Sequence, residues 1–149
     1  MESKTIDNYS LSDIHEVAQQ VKSFAQDMPI WVFKGAMGAG KTTLVKAIAV
    51  AFGVEDQVSS PTFGLVNEYR NGKGQTFYHF DFYRINEEEE VLDIGIDEYF
   101  YSGNYCWLEW AEKIPHYLPE DFVLITLAVD ESGKRKIQMN RVIKGQKHG

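Results

Sequence analysis

The segment Gly35-Ala36-Met37-Gly38-Ala39-Gly40-Lys41-Thr42 fits the spacing G-x-x-x-x-G-K-[ST], and it lies between a short apolar run, Ile30-Trp31-Val32-Phe33, and an amphipathic stretch over 41–52. A β-branched and aromatic run that ends at a glycine predicts a buried strand, and the apolar spacing of Leu44, Val45, Ile48, Ala49 and Ala51 predicts a helix stopped by Gly53. The order strand, glycine-rich turn, helix is the setting in which this spacing forms a phosphate loop. Glycines let the backbone curl so that successive N–H groups and the helix N-terminus face one anion. Lys41 adds a point charge, the Thr42 hydroxyl can ligate Mg²⁺, and the Thr43 hydroxyl can reach a further phosphate. Gly35, Gly38, Ala39, Gly40, Lys41, Thr42 and Thr43 are therefore candidate nucleotide-binding residues, with Lys41 also a candidate catalytic residue.

The rest of the chain predicts α/β architecture. Residues 11–25 repeat apolar side chains at three- and four-residue steps behind a Ser10/Asp13 cap pattern, which predicts a helix. Residues 65–70 and 76–83 read as strands around Asn71-Gly72-Lys73-Gly74, a hairpin signal. Residues 87–92 are expected to be helical, 104–109 to form another strand, and 122–129 with 136–142 a closing hairpin. The tail over 144–149 is expected to fray. Crossovers near the start require parallel strands and the hairpins antiparallel ones, so one P-loop NTPase-like domain spanning 1–149, with a mixed sheet flanked by helices, is expected.

Two carboxylates stand out. Strand alternation puts Tyr78, Phe80 and Phe82 on one face and His79, Asp81 and Tyr83 on the other. Asp81 closes a mostly apolar run, so it is read either as a Walker-B-type metal ligand or as a solvated edge residue. Glu109 ends Tyr105-Cys106-Trp107-Leu108, where open α/β sheets keep their ligands. It is a candidate for holding Mg²⁺ or positioning water, against a capping or surface role. Ser59-Ser60-Pro61-Thr62 is loop chemistry, whose Thr62 hydroxyl could sense a γ-phosphate. A lone strand histidine such as His79 is more often a hydrogen-bonding structural residue than a catalyst.

Charge and cysteine usage narrow the function classes. The 149 residues carry 15 Lys and Arg against 22 Asp and Glu, a formal charge of -7, which argues against a protein built to grip DNA or an anionic membrane. Cys106 is the only cysteine, so neither an internal disulfide nor a cysteine-based zinc site can form, as suits a reducing cytosol. No signal-peptide pattern and no long apolar stretch is present, and a soluble cytosolic protein is expected. Between 81 and 98 there are eight acids and one base, ordinarily a solvated face. Between 134 and 149 there are six Lys and Arg and no acid, a segment able to touch nucleotide phosphate, an acidic partner or RNA.

The P-loop together with Ser60-Pro61-Thr62-Phe63, His79-Phe80-Asp81-Phe82-Tyr83-Arg84, Gly95-Ile96-Asp97-Glu98-Tyr99-Phe100 and Leu108-Glu109-Trp110 closely resembles the TsaE family over about residues 30–129, in order and in spacing. That resemblance implies a small ATPase needed to make threonylcarbamoyladenosine at position 37 of tRNA, acting on a complex of TsaB with TsaD and touching tRNA only through that complex. It implies ATP and Mg²⁺ as cofactors, phosphate binding by Lys41, Thr42 and Thr43, and Mg²⁺ ligation by Thr42 and Glu109. It also implies switch-like and Walker-B-like roles for Thr62 and Asp81, and a contact to base or ribose from Ser10 or Ser12 and from Arg135.

Three other functions share parts of this chemistry. A regulatory GTPase would need an N-K-x-D guanine reader, and the chain has none. A small-molecule or nucleotide kinase would need an acceptor pocket and an arginine-bearing lid, yet the only arginines are Arg70, Arg84, Arg135 and Arg141. A nucleotide-sensing adaptor would bind without turning over.

Overall fold

The computed structural model of the protein describes residues 3–57, 64–144 and 146–148, and among them it forms one mixed sheet of nine strands. In chain order the elements are β1 (Ser3–Tyr9), α1 (Ile14–Ala25), β2 (Ile30–Lys34), α2 (Lys41–Ala51), β3 (Val54–Gln57), β4 (Val66–Asn71) and β5 (Thr76–Asp81). There follow α3 (Glu90–Asp93), α4 (Ile96–Phe100), β6 (Tyr105–Glu109), β7 (Phe122–Val129), β8 (Arg135–Ile143) and β9 (Gln146–His148). The strand order is β1-β8-β7-β2-β6-β5-β4-β3, with β9 also on β8. The centre is parallel, β2 pairing with β6 and β7, and β5 with β6; the flanks are antiparallel. This is the mixed parallel and antiparallel sheet that crossovers and hairpins in one chain require.

Alternation in the central strands feeds two cores. Trp31 and Phe33 of β2, Phe77 of β5 and Trp107 of β6 meet α1 and α2 on one face. Ile30 and Val32, Phe80, Cys106 and Leu108 meet α3, α4 and the turns after β6 on the other. Both faces are covered, which is why β2 and β6 read as continuous apolar runs. Burial raises the Cys106 thiol to about 12, so it behaves as a small apolar side chain. Among the described residues no helix is long and apolar enough to cross a membrane.

Several boundaries differ from the sequence expectation. The first helix opens as a short 3-10 turn at Leu11–Asp13, where the Asp13 carboxylate accepts the Ser10 N–H at 2.9 Å. The helix expected over 87–92 is reduced to α3, because the Glu90 carboxylate takes the N–H groups of Asn86 and Glu87 at 2.9 and 2.7 Å and holds the preceding residues in a turn. The tail expected to fray over 144–149 contains β9, paired antiparallel with Arg141, Val142 and Ile143. Strands β1 and β3 close the two ends of the sheet without having been expected.

His116, in the turn before β7, pairs with Glu88 ahead of α3, Nδ1 to Oε2 at 2.7 Å. His116 is exposed and Glu88 half-buried. The hydrogen bond to Glu88 raises the His116 imidazole above its usual range, and the same bond lowers Glu88. A raised imidazole contributes stability below its unfolded value and loses it as pH rises through the folded one; a lowered carboxylate contributes above its unfolded value and loses it on acidification. The pair is therefore complete between about pH 4.5 and 6.5. An NMR titration of His116 is expected to give a midpoint above the ordinary imidazole value, and Glu88→Gln is expected to bring it down; an unchanged midpoint in the variant would show that Glu88 is not the cause.

Candidate functional site

The parallel centre of the sheet sends the C-terminal ends of β2, β5 and β6 to one edge, the place where α/β sheets present ligand-binding loops. From β2 the chain passes into the glycine-rich loop and then α2. Gly35 has no room for a side chain, since an added Cβ would lie 2.9 Å from the Leu127 carbonyl oxygen. Gly38 and Gly40 have φ of +83° and +98°, a left-handed conformation open to glycine at little cost. Gly40 caps α2, so the loop delivers backbone N–H groups into the positive end of a helix.

Lys41, the first residue of α2, is 5 % exposed. Its Nζ donates to the Gly35 carbonyl at 2.7 Å and lies 3.5 Å from the centre of the Trp110 ring. Burial pulls this ammonium below its usual range, while Glu109, Glu112 and Asp81 oppose the shift. Trp110 follows Glu109 with a φ of +59°, a sharp turn that brings the indole back over Lys41 and sets its ring 5.0 Å from the Tyr83 ring, centroid to centroid, in a tilted pair.

Thr42 and Glu109 meet directly. The Thr42 hydroxyl lies 2.8 and 2.9 Å from the two Glu109 oxygens, although 67 residues separate them. Glu109 is 2 % exposed. Its Oε2 also accepts from His79 Nε2 at 2.5 Å, and His79 Nδ1 is 3.1 Å from the Tyr69 hydroxyl. Asp81 aligns with Glu109 across the parallel β5–β6 ladder, so both acids reach the same edge. Asp81 is exposed, however, and its Oδ1 accepts the Tyr83 N–H at 3.0 Å. The exposure of Asp81 follows from β5 ending at this residue, where the chain turns away.

Arg135, at the start of β8, donates from Nη1 to the Ala39 carbonyl at 3.0 Å, and its guanidinium packs against Gly40. A cavity of about 510 Å³ opens over the loop, within the range of small-ligand sites. Lys41, Arg84 and Arg135 bring positive charge to its wall, Asp81 and Glu109 negative charge, with Thr42 and Thr43 at the base and Leu11 and Met37 on the apolar rim. Ser10 and Ser12 hydrogen-bond to each other at 2.7 Å, and Leu11 between them faces the cavity. Thr62, with the rest of Ser59-Ser60-Pro61-Thr62, lies outside the described residues.

The structure thus brings Gly38, Gly40, Lys41, Thr42, Thr43, Asp81, Glu109 and Arg135 around one cavity. Sequence reasoning did not find Tyr69, nor the hold of His79 on Glu109. The signal for His79 was faint: a polar residue in a buried strand, whose partner is known only once strand register is known.

A glycine-rich loop between a strand and a helix N-terminus, with a hydroxyl–carboxylate pair beside it at the C-terminal edge of a parallel sheet, is the layout of a P-loop fold. A sequence model described as threonylcarbamoyl adenosine biosynthesis protein TsaE matches residues 9–137. The tRNA threonylcarbamoyladenosine biosynthesis protein TsaE of Bacillus subtilis is 36 % identical over 126 residues, 85 % of this chain and 78 % of its own. The Treponema pallidum protein of the same name is 41 % identical over 71 % of this chain and 77 % of its own. The crystal structure of Bacillus subtilis YdiB superposes with a TM-score of 0.75 at 27 % identity, covering 94 % of this chain and 86 % of that one. The chain belongs to the TsaE family, whose role is in tRNA threonylcarbamoyladenosine biosynthesis.

Proposed function

We propose that the protein is a Mg²⁺-dependent ATPase that acts with TsaB and TsaD in forming threonylcarbamoyladenosine at position 37 of tRNA, in the cytosol. The observation that carries this reading is the contact of Thr42 with Glu109 beside the phosphate loop, in a chain of the TsaE family. A hydroxyl and a carboxylate are hard oxygen donors that fit Mg²⁺, an ion usually held by one or two carboxylates together with phosphates and water. Among the described residues no three His, Cys, Asp or Glu side chains cluster as a self-sufficient metal site, which favours a metal that arrives with its nucleotide. When bound, Mg²⁺ would neutralise charge developing on the β and γ phosphate oxygens.

The chain's own groups supply the remainder. Loop N–H groups and Lys41 bind the phosphates, and Thr43 adds a hydroxyl. Thr42 and Glu109 would hold the metal, Asp81 would orient a water beside it, and Arg135 and Leu11 border the space for ribose or base. Arg84 stands across the cavity as a cation for the transferring phosphate. Among the described residues the cavity is open to solvent, so completing the wall is assigned to the partner.

The test is phosphate release by the isolated chain and by the chain with saturating TsaB–TsaD, without a phosphate acceptor. Release that rises at least about tenfold in the complex is expected, with partner affinity differing between the ATP and ADP states. Release only on addition of an acceptor would make the protein a kinase, and none under any condition would make it a nucleotide sensor.

A further inference from the structure

We propose that His79 is a positioning residue for the metal-holding carboxylate, locked in place by Tyr69; this deepens the Mg²⁺–ATP reading and rests on it. The placement follows from register. On β5, residues 77, 79 and 81 share one face, as do 107 and 109 on β6. His79 aligns with Trp107 and Asp81 with Glu109, while Tyr69 of β4 aligns with Phe77. Tyr69, His79 and Glu109 therefore form a diagonal across three adjacent strands on the face that carries α2, each two residues further toward the glycine-rich loop. Diagonal neighbours of this kind are within reach of long and aromatic side chains. All three are buried, at 7, 4 and 2 % exposure.

Hydrogen-bond accounting fixes the direction of the chain. An ionised Glu109 can only accept, so His79 Nε2 carries the proton that faces it at 2.5 Å. In the neutral ring Nδ1 then accepts from the Tyr69 hydroxyl, 3.1 Å away. On its other side Glu109 receives the Thr42 hydroxyl. The carboxylate is thus pinned from two directions, and its plane is set relative to the first turn of α2. Without His79, one oxygen would lose its buried donor and the carboxylate would turn about its last bond to find another. A metal shared by Thr42 and Glu109 would then meet a misdirected ligand. Outer partners of metal ligands typically account for about 10- to 100-fold in metal affinity.

Mn²⁺ binding, read by electron paramagnetic resonance in the presence of a non-hydrolysable ATP analogue, tests the assignment. His79→Leu is expected to weaken Mn²⁺ binding about tenfold or more, while analogue binding in EDTA stays at the wild-type level. His79→Gln, whose amide can restore a donor near the Nε2 position, is expected to recover most of the loss. Tyr69→Phe should shift the Mn²⁺ midpoint in the same direction by less. A purely structural histidine would lower the melting temperature and metal-free analogue binding together, and leave the Mn²⁺ midpoint of the folded fraction unmoved; that result overturns the proposal. Should His79→Leu fail to fold, Tyr69→Phe and His79→Asn decide in its place, and wild-type midpoints in both overturn it. A wild-type chain that binds no Mn²⁺ with the analogue would instead remove the Mg²⁺–ATP reading itself.

Discussion

Replacing Lys41 with alanine is expected to weaken ATP binding by about 100-fold while the sheet stays folded. The loop's backbone donors survive the change, so binding falls without vanishing. What is lost is the Lys41 ammonium, which the Gly35 carbonyl and the Trp110 ring engage at the loop. Charge-assisted hydrogen bonds contribute about 1.5–3 kcal/mol each, and at the upper end that is two powers of ten in affinity. Folding should tolerate the loss, because burial already disfavours this ammonium and a small apolar residue suits the first turn of a helix. Calorimetric titration with ATP, beside a melting curve, checks both parts. Wild-type affinity in a folded Lys41→Ala protein would show that the loop does not hold phosphate through this residue.

The second large effect is expected at Glu109. Glu109→Gln keeps the shape but not the acceptor count: the carboxylate receives the Thr42 hydroxyl on both oxygens and His79 on one. An amide must turn its NH₂ toward one of those donors, which sets donor against donor in a buried place. Hydrolysis is expected to fall about 100-fold, a barrier increase of about 2.7 kcal/mol, whereas ATP binding through the loop should change by less than about threefold. Phosphate release at saturating Mg²⁺, measured with the TsaB–TsaD complex present, separates the two quantities. A wild-type rate would take Glu109 out of the chemistry and leave it a structural acid.

How far the sequence reveals this arrangement depends on the range of each interaction. The glycine-rich turn between β2 and α2 is legible because its pattern lies within eight consecutive residues between a strand and a helix. The parallel centre is legible too, since Ile30-Trp31-Val32-Phe33 and Cys106-Trp107-Leu108 are apolar on both faces. The edge strands are harder to read. In β1 only Ile6 and Tyr9 are buried, and an irregularity between them, with Asn8 at a φ of +52°, breaks the two-residue period. In β3 a register shift falls between Val54 and Asp56, and the exposed Glu55 is an acid of the kind that protects a sheet edge. Asp81 and Glu109 look equivalent from spacing, each ending an apolar run. Their environments differ because β5 stops at Asp81, while Glu109 is enclosed by Thr42, His79 and Trp110. The link from Tyr69 through His79 to Glu109 depends on the pairing register of three strands, which no local pattern encodes.

The residues joined at Glu109 sit at positions 42, 69, 79 and 109, and they come together only once β4, β5, β6 and the first turn of α2 are all docked. Contacts of such sequence separation require long loops to be closed before they are rewarded. A chain with an unmade sheet centre consequently has the loop sequence but no carboxylate opposite it, and nucleotide with metal would select against every partly assembled form. Occupancy at a hundred times the dissociation constant would then add about 2.7 kcal/mol to global stability, tying the lifetime of the folded chain to the nucleotide supply around it.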